Sequence, residues 1–426
     1  MREVPPFVAT ALTDNELTYS IIKQAFPHVR DRMREIADDG LRFASEVDLV
    51  IGALRLARLQ QEREKNETLR VPRPSPAFAS SLQRDEEAGV RARFLKLLPE
   101  HGGDFPLKIL LRRLRDMLAG QADSRHGLPA MLIARMPREG VDMLLLMADI
   151  TKGEDEVLAK DLQSFALHIF LVVTKEDKAA DRLFEAASTP AWTATEADLA
   201  KWREELQKDG YAFSLPTQQE IDIMRAAVEA RRTCNRDGAR LLGWAERFTE
   251  ADKEAHDPGG WLRHFTWMGE RNKRALMWLQ RDYLRKKVGH FDPLSIRDED
   301  LPLDLDHIVP QSRFGYDWRH RDKYLSSDLT VDELQSFRDH RHLIGNALGN
   351  FRWLDASDNR ARGDGQLEDS ATMAGDHYID DPTGWNALIP DEKIWSWSRN
   401  DVAEFQARID LRTLPLCQTL ISDLPA

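Results

Sequence analysis

Histidine 307 stands directly after Asp306, and asparagines follow at positions 350 and 359. These side chains have the types and spacing to do chemistry. Hydrolysing a phosphodiester needs an activated water and stabilisation of the leaving oxygen. A histidine can take a proton from water near neutral pH. A hard cation such as Mg²⁺ or Mn²⁺ prefers oxygen donors, which an aspartate carboxylate and an asparagine amide oxygen supply. It then offsets charge on the phosphoryl and leaving oxygens. On this reading His307 is the general base, and Asp306 and Asn359 are metal ligands. Asn350 holds the histidine loop by hydrogen bonding. Arg360 and Arg362, next to Asn359, are candidates for backbone phosphate.

The elements that must position them follow from the pattern around them. Leu303, Leu305 and Val309 alternate with Asp304 and Asp306, the period of a strand, which Pro310 should end. Neighbours on a regular strand face opposite ways, so a site using both Asp306 and His307 needs the strand to end or bulge there. A second strand is expected at Asn350 to Leu354. Asp355 or Ser357 can cap a short helix carrying Asn359, Arg360 and Arg362, and Gly363 should stop it.

The run Asp304-Leu305-Asp306-His307-Ile308-Val309-Pro310-Gln311-Ser312 is similar to the first strand of the HNH, or ββα-metal, domain of CRISPR effector nucleases. Asn350 and Asn359, nine positions apart, match the same pattern. The insertion between His307 and Asn350, with its Ile344-Gly345-Asn346 element, resembles the C-terminal nuclease domain of GmrSD-type and SspE-type restriction proteins. The resemblance spans Leu303 to Gly363. It implies metal-dependent nicking or cleavage of DNA, phage or modified DNA included, in bacterial defence. The gap from His307 to Asn350 is longer than in compact HNH sites, so Asn346 competes with Asn350 for the middle position. The last motif position holds Asn359 rather than histidine, a variant the family also uses. The opening phrase ALTDNELTYSIIKQAFP resembles the tail of the N-terminal domain of GmrSD-type proteins. That implies a chain corresponding to their C-terminal portion, with a nucleotide-handling domain or subunit as a partner.

Composition sets the limits. With 426 residues, 42% hydrophobic and 31% charged, the chain is expected to be an ordinary globular protein of two or three domains. A net charge of −12 argues against uniform coating of nucleic acid, so a DNA-binding face must be a local patch. The two cysteines, Cys234 and Cys417, lie far apart and form no thiolate zinc motif. The N-terminus lacks an apolar signal core, and the most apolar run, Phe165 to Val173, is too short to span a bilayer. Cytoplasmic location and no membrane partner are therefore expected.

The rest reads as helix, giving a mainly α fold with an embedded ββα-metal domain. Residues 1–259 form a helical scaffold and residues 260–426 the nuclease domain with flanking helices. Thr13 and Glu16 suggest a capping box, and Pro27 should restart the first helix. Residues 70–81, rich in Pro and Ser, read as a loop. Met143 to Met147 suits a central helix, with His168 a satisfied core histidine. A last helix from Asp401 is expected to close near Leu414, before Pro415. Trp385, Trp395 and Trp397 should pin the C-terminal part.

Between Arg271 and Lys287 lie seven basic residues and one acidic one. Arg271, Lys273, Arg274, Arg281, Lys286 and Lys287 are candidates to track a DNA backbone; a solvated basic helix explains them equally well. In the insertion, His340 and His342 are better read as exposed histidines than as ligands. Its basic residues, Arg313, Arg319, His320, Arg321 and Lys323, and a helix expected over Asp332 to His340 could wall a substrate groove.

Overall fold

The computed structural model describes residues 12–41, 44–65, 70–119, 127–151, 155–214, 216–236, 269–288, 302–314, 345–368, 371–389 and 398–423. His340, His342, Arg319 to Lys323, the helix expected over Asp332 to His340, Trp395 and Trp397 lie outside them.

Among the described residues twelve helices come first: α1 (Asp14–Ala25), α2 (Val29–Asp38), α3 (Glu46–Lys65), α4 (Pro76–Gln83), α5 (Ala88–Leu97), α6 (Pro106–Ala119), α7 (Ala130–Ile133), α8 (Arg138–Ile150), α9 (Asp155–Leu171), α10 (Glu176–Ala187), α11 (Glu196–Lys208) and α12 (Gln218–Arg236). Their starts follow the sequence. Thr13 and Glu16 make the reciprocal capping box of α1, and Pro27 separates α1 from α2. The stretch expected as a loop instead contains α4. Ser75 accepts from the Phe78 N–H and Pro76 takes the first helical position, where its missing N–H costs nothing.

Two helices form the centre of this part. α3 buries nearly every residue from Leu49 to Leu59, and α8 every residue from Gly140 to Ala148. A helix apolar on all sides must be surrounded, and α3 packs on α5 and α8, and α8 in turn on α9 and α10. The contact between α3 and α8 is pinned by a buried ion pair, Arg55 to Asp142 at 3.2 Å, with Asp181 of α10 on the other guanidinium nitrogen at 2.7 Å.

After α13 (Glu270–Leu279) and α14 (Arg281–Val288), the chain forms β1 (Leu303–His307), α15 (Gln311–Phe314), a 3₁₀ turn (Leu348–Asn350), β2 (Phe351–Asp355) and α16 (Ala356–Arg362). It ends with α17 (Ala371–His377), α18 (Pro382–Asn386) and α19 (Arg399–Asp423). The two strands pair antiparallel, with Asp306 opposite Arg352 and His307 opposite Phe351. β1 stops at His307, three residues before Pro310. Asp355 caps α16 by accepting from the Ser357 and Asp358 N–H groups, and Gly363 ends it at φ +52°. The expected strand–strand–helix order is thus present.

α19 runs through Pro415 rather than closing before it. A proline inside a helix costs about 3 kcal/mol. Here Leu414 and Leu416 on either side are fully buried, and packing along α12 holds the segment helical. Arg232 of α12 and Glu404 of α19 seal the pair at 2.6 Å.

One continuous core runs from Tyr19 to Leu416 and includes Leu303, Phe351 and Trp353 of the hairpin. It crosses the expected boundary at residue 259 through α13, which packs against α7, α9 and β2. A second cluster, including Ile308, Phe314, Trp385, Phe405 and Ile409, lies around the end of β1. Among the described residues no helix is long and apolar enough to cross a membrane.

Candidate functional site

The hairpin divides the candidate residues between its two faces. Asp304 and Asp306 are two apart on β1 and share a face. α16 packs over both strands. From it, Asn359 donates its amide N–H to Asp304 Oδ2 at 3.2 Å. Asn359 thus meets Asp304 on the strand face that also carries Asp306, and all three have side-chain oxygens of the kind a hard cation takes. Asp304 belongs with the set on this evidence; the sequence shows it only as a polar position in the strand alternation.

Asp306 is nearly buried and fully engaged. Arg362 Nη1 donates to both of its oxygens at 2.8 and 2.7 Å, and Arg352 Nε to Oδ2 at 2.8 Å. Arg362 also bonds the His307 and Ile308 carbonyls. The arginine assigned to phosphate from sequence is therefore turned inward, 4% exposed, and ties α16 to the end of β1. Arg352 could have been suspected: it interrupts an apolar strand, Phe351 to Leu354, at a position facing Asp306 in register. Arg360 is exposed and makes no ion pair among the described residues.

His307 takes the other side of the strand end. Its ring packs on Phe351 at 4.2 Å and Phe314 at 5.7 Å between centroids. Nε2 meets Asn346 Oδ1 at 3.0 Å. With the amide oxygen presented, Nε2 carries the hydrogen and Nδ1 is the basic nitrogen. Burial pulls the imidazole pKa below its usual value, against the opposing pull of the Asn346 bond and the Asp306 charge. The ring is therefore neutral at physiological pH.

The two competing asparagines have different positions. Asn350, fully buried, accepts from the Val309 N–H at 2.8 Å and donates to the Val309 and Gly345 carbonyls at 3.1 and 2.8 Å. It holds the histidine loop through backbone, as expected of it. Asn346 is the residue that touches the imidazole.

α19 supports this turn from behind. Arg412 donates to the carbonyls of Gly349, Phe351 and His377 at 3.1, 2.6 and 2.8 Å. Sequence reasoning missed it, though the signal was there: Arg412 falls on the stripe Phe405, Ile409, Leu416, where a charge is out of place.

The arginines Arg271, Arg274 and Arg281 of the basic stretch are engaged within the chain. Arg271 donates to the Val173 carbonyl at 2.7 Å and lies over the Phe213 ring. Arg274 lies over Phe170 beside Glu176, and Arg281 over Trp278 beside Asp423. Burial lowers the pKa of both Arg271 and Arg274. Lys273 pairs with Glu270, Lys286 with Asp376 and Lys287 with Asp358. α13 forms a seam between scaffold and hairpin, while Lys286 and Lys287 of α14 stay exposed in their ion pairs.

No protein-family model, curated protein or solved structure matches the chain.

Proposed function

We propose that the chain is a metal-dependent endonuclease of the HNH type that hydrolyses phosphodiester bonds of DNA, with a role in bacterial defence and a nucleotide-handling domain or subunit as its partner. One observation carries the reading. His307 stands at the end of β1 with Nε2 on Asn346, while Asn359 of α16 bonds Asp304 on the strand face that also carries Asp306. The donor set is all oxygen and fits Mg²⁺ or Mn²⁺. Bound there, the cation would supply charge to stabilise the phosphoryl and leaving oxygens.

The chain's own residues do the rest. Asn346 fixes the imidazole so that Nδ1 faces away from the hydrogen bond and can take the proton of the attacking water. Asn350 keeps the loop behind it from shifting. Arg360 is the exposed cation closest in sequence to Asn359 and serves as a phosphate contact. One such site cuts one strand per event, so the expected product is a nick.

A second reading has support in the ion pairs at Asp306. With both carboxylate oxygens held by arginines, the unit could serve as a DNA clamp without cutting. Conversion of supercoiled plasmid with Mg²⁺, Mn²⁺ or EDTA separates the two. The nuclease reading expects metal-dependent open circle, with the rate lowered at least about 100-fold in His307→Ala and abolished in Asn359→Ala. Binding of plasmid with no open circle under any divalent metal would favour the clamp.

A further inference from the structure

Arg352 and Arg362 have a use beyond holding Asp306. Both line a cavity of about 130 Å³, together with Tyr283, His377, Asp358 and Asp376. Their side chains are 1% and 4% exposed. Arg352 Nη1 and Arg362 Nε are nonetheless buried without a hydrogen-bond partner among the described residues. An unmet charged donor in a buried place is costly, and native proteins rarely keep one idle. The acids of the wall do not answer it. Asp358 and Asp376 are paired with lysines, Lys287 at 3.3 Å and Lys286 at 3.4 Å. Glu368, which also lines the cavity, is exposed at its edge. The Tyr283 hydroxyl accepts from the Asp355 N–H at 2.9 Å. Among the described residues Arg352 Nη1 and Arg362 Nε each still lack an acceptor, and guanidinium groups match phosphate oxygens in shape and charge.

We propose that this cavity is a subsite for a DNA backbone phosphate beside the scissile one, and that filling it draws Arg362 off Asp306 and frees that carboxylate for the divalent cation. The proposal rests on the nuclease reading above. Its physical basis is competition. Arg362 holds both Asp306 oxygens, and Arg352 one of them. An arriving dication meets two positive charges at its own ligand. A phosphate in the cavity offers Arg362 another partner, so cation and DNA each favour binding of the other. Linkage requires the coupling to be reciprocal.

The test measures metal binding, not turnover. Mn²⁺ is titrated by electron paramagnetic resonance into the full chain carrying His307→Ala, so that DNA stays intact, with and without a saturating short duplex. The duplex should tighten Mn²⁺ binding about tenfold, in the ordinary range for coupled sites. Adding Arg362→Gln should give the tighter Mn²⁺ binding without DNA and remove the response to DNA. Arg352→Lys, which keeps a charge on Asp306 but loses the fork, should reduce the response and guards against a variant that fails to fold. DNA bound, by fluorescence anisotropy, with no change in Mn²⁺ affinity overturns the proposal. If wild type still nicks plasmid in that case, the nuclease reading stands while this inference falls. If wild type neither nicks nor binds Mn²⁺, both fall.

Discussion

His307 can act as a base only while it is neutral, and its surroundings decide over what pH range that holds. Burial against Phe314 and Phe351 lowers its pKa, while the Asn346 bond raises it. The rate of nicking should therefore rise with pH along an acid limb centred below the ordinary histidine value, and stay level above it. Asn346→Ala removes the raising influence. Its acid limb should move to lower pH, and its plateau should drop because the ring is no longer oriented. A pH–rate profile of the two proteins checks both. An acid limb that moves upward in Asn346→Ala would mean Asn346 does not bond the working form of the imidazole. At this scale the sequence was informative about residue types and less so about partners. Asp306, His307, Asn350 and Asn359 announce themselves by spacing. That Arg362 faces inward, and that Asn346 rather than Asn350 meets the ring, depends on contacts between segments far apart in the chain, which periodicity does not encode.

The supporting element is α19, and its fit to the turn before β2 is close. A Cβ on Gly349 would lie 1.9 Å from the Ile409 carbonyl oxygen, a backbone atom that cannot swing aside. The turn and the helix therefore touch backbone to backbone, and Arg412 clamps the same turn through its carbonyls. Gly349→Ala should cost about 3 kcal/mol, the upper part of the range for overpacked interiors, read as a lower midpoint in urea. Because the turn carries Asn350, the variant should also lose nicking under conditions where it is still folded. Unchanged stability would mean that helix and turn are not packed this closely. The helices show how far local pattern reaches. The capping box of α1, the break at Pro27 and the caps of α16 are local signals and were readable. α4 is masked in the sequence because Ser and Pro also form loops, whereas Ser75-Pro76 is a helix start. Pro415 reads as a stop because the packing of α12 along α19 is not visible in either helix alone.

Across the whole molecule, acid should act through two more buried histidines, one in the scaffold and one beside the hairpin. His168 of α9 lies against Trp202, with its ring centroid 5.8 Å away, and its Nε2 has no hydrogen-bond partner among the described residues. His168 is thus in the core as the sequence suggests, but it is not satisfied at Nε2 as expected of it; burial disfavours its charged form instead. His377 stacks edge-on to Tyr283, and its Nδ1 faces Gln280 Nε2 at 2.5 Å. Burial first, and then neighbouring positive charge, pushes the pKa of each down to about 3. The folded state resists protonating them, whereas the unfolded chain accepts protons near the ordinary value of 6.5. Their contribution is therefore complete above about pH 6.5 and is lost progressively as pH falls toward 3. Each histidine adds at most about 1.4 kcal/mol per pH unit to the slope in that window. Since one core joins the two regions, both histidines should report on a single unfolding transition. Urea unfolding across this range should show stability falling with acid in wild type. His168→Leu, which leaves no polar group in an apolar site, and His377→Gln, which keeps an acceptor for Gln280, should each flatten the slope, and the double variant should flatten it most. Two separate transitions, with one variant affecting each, would show instead that scaffold and hairpin region unfold independently along the boundary expected near residue 259.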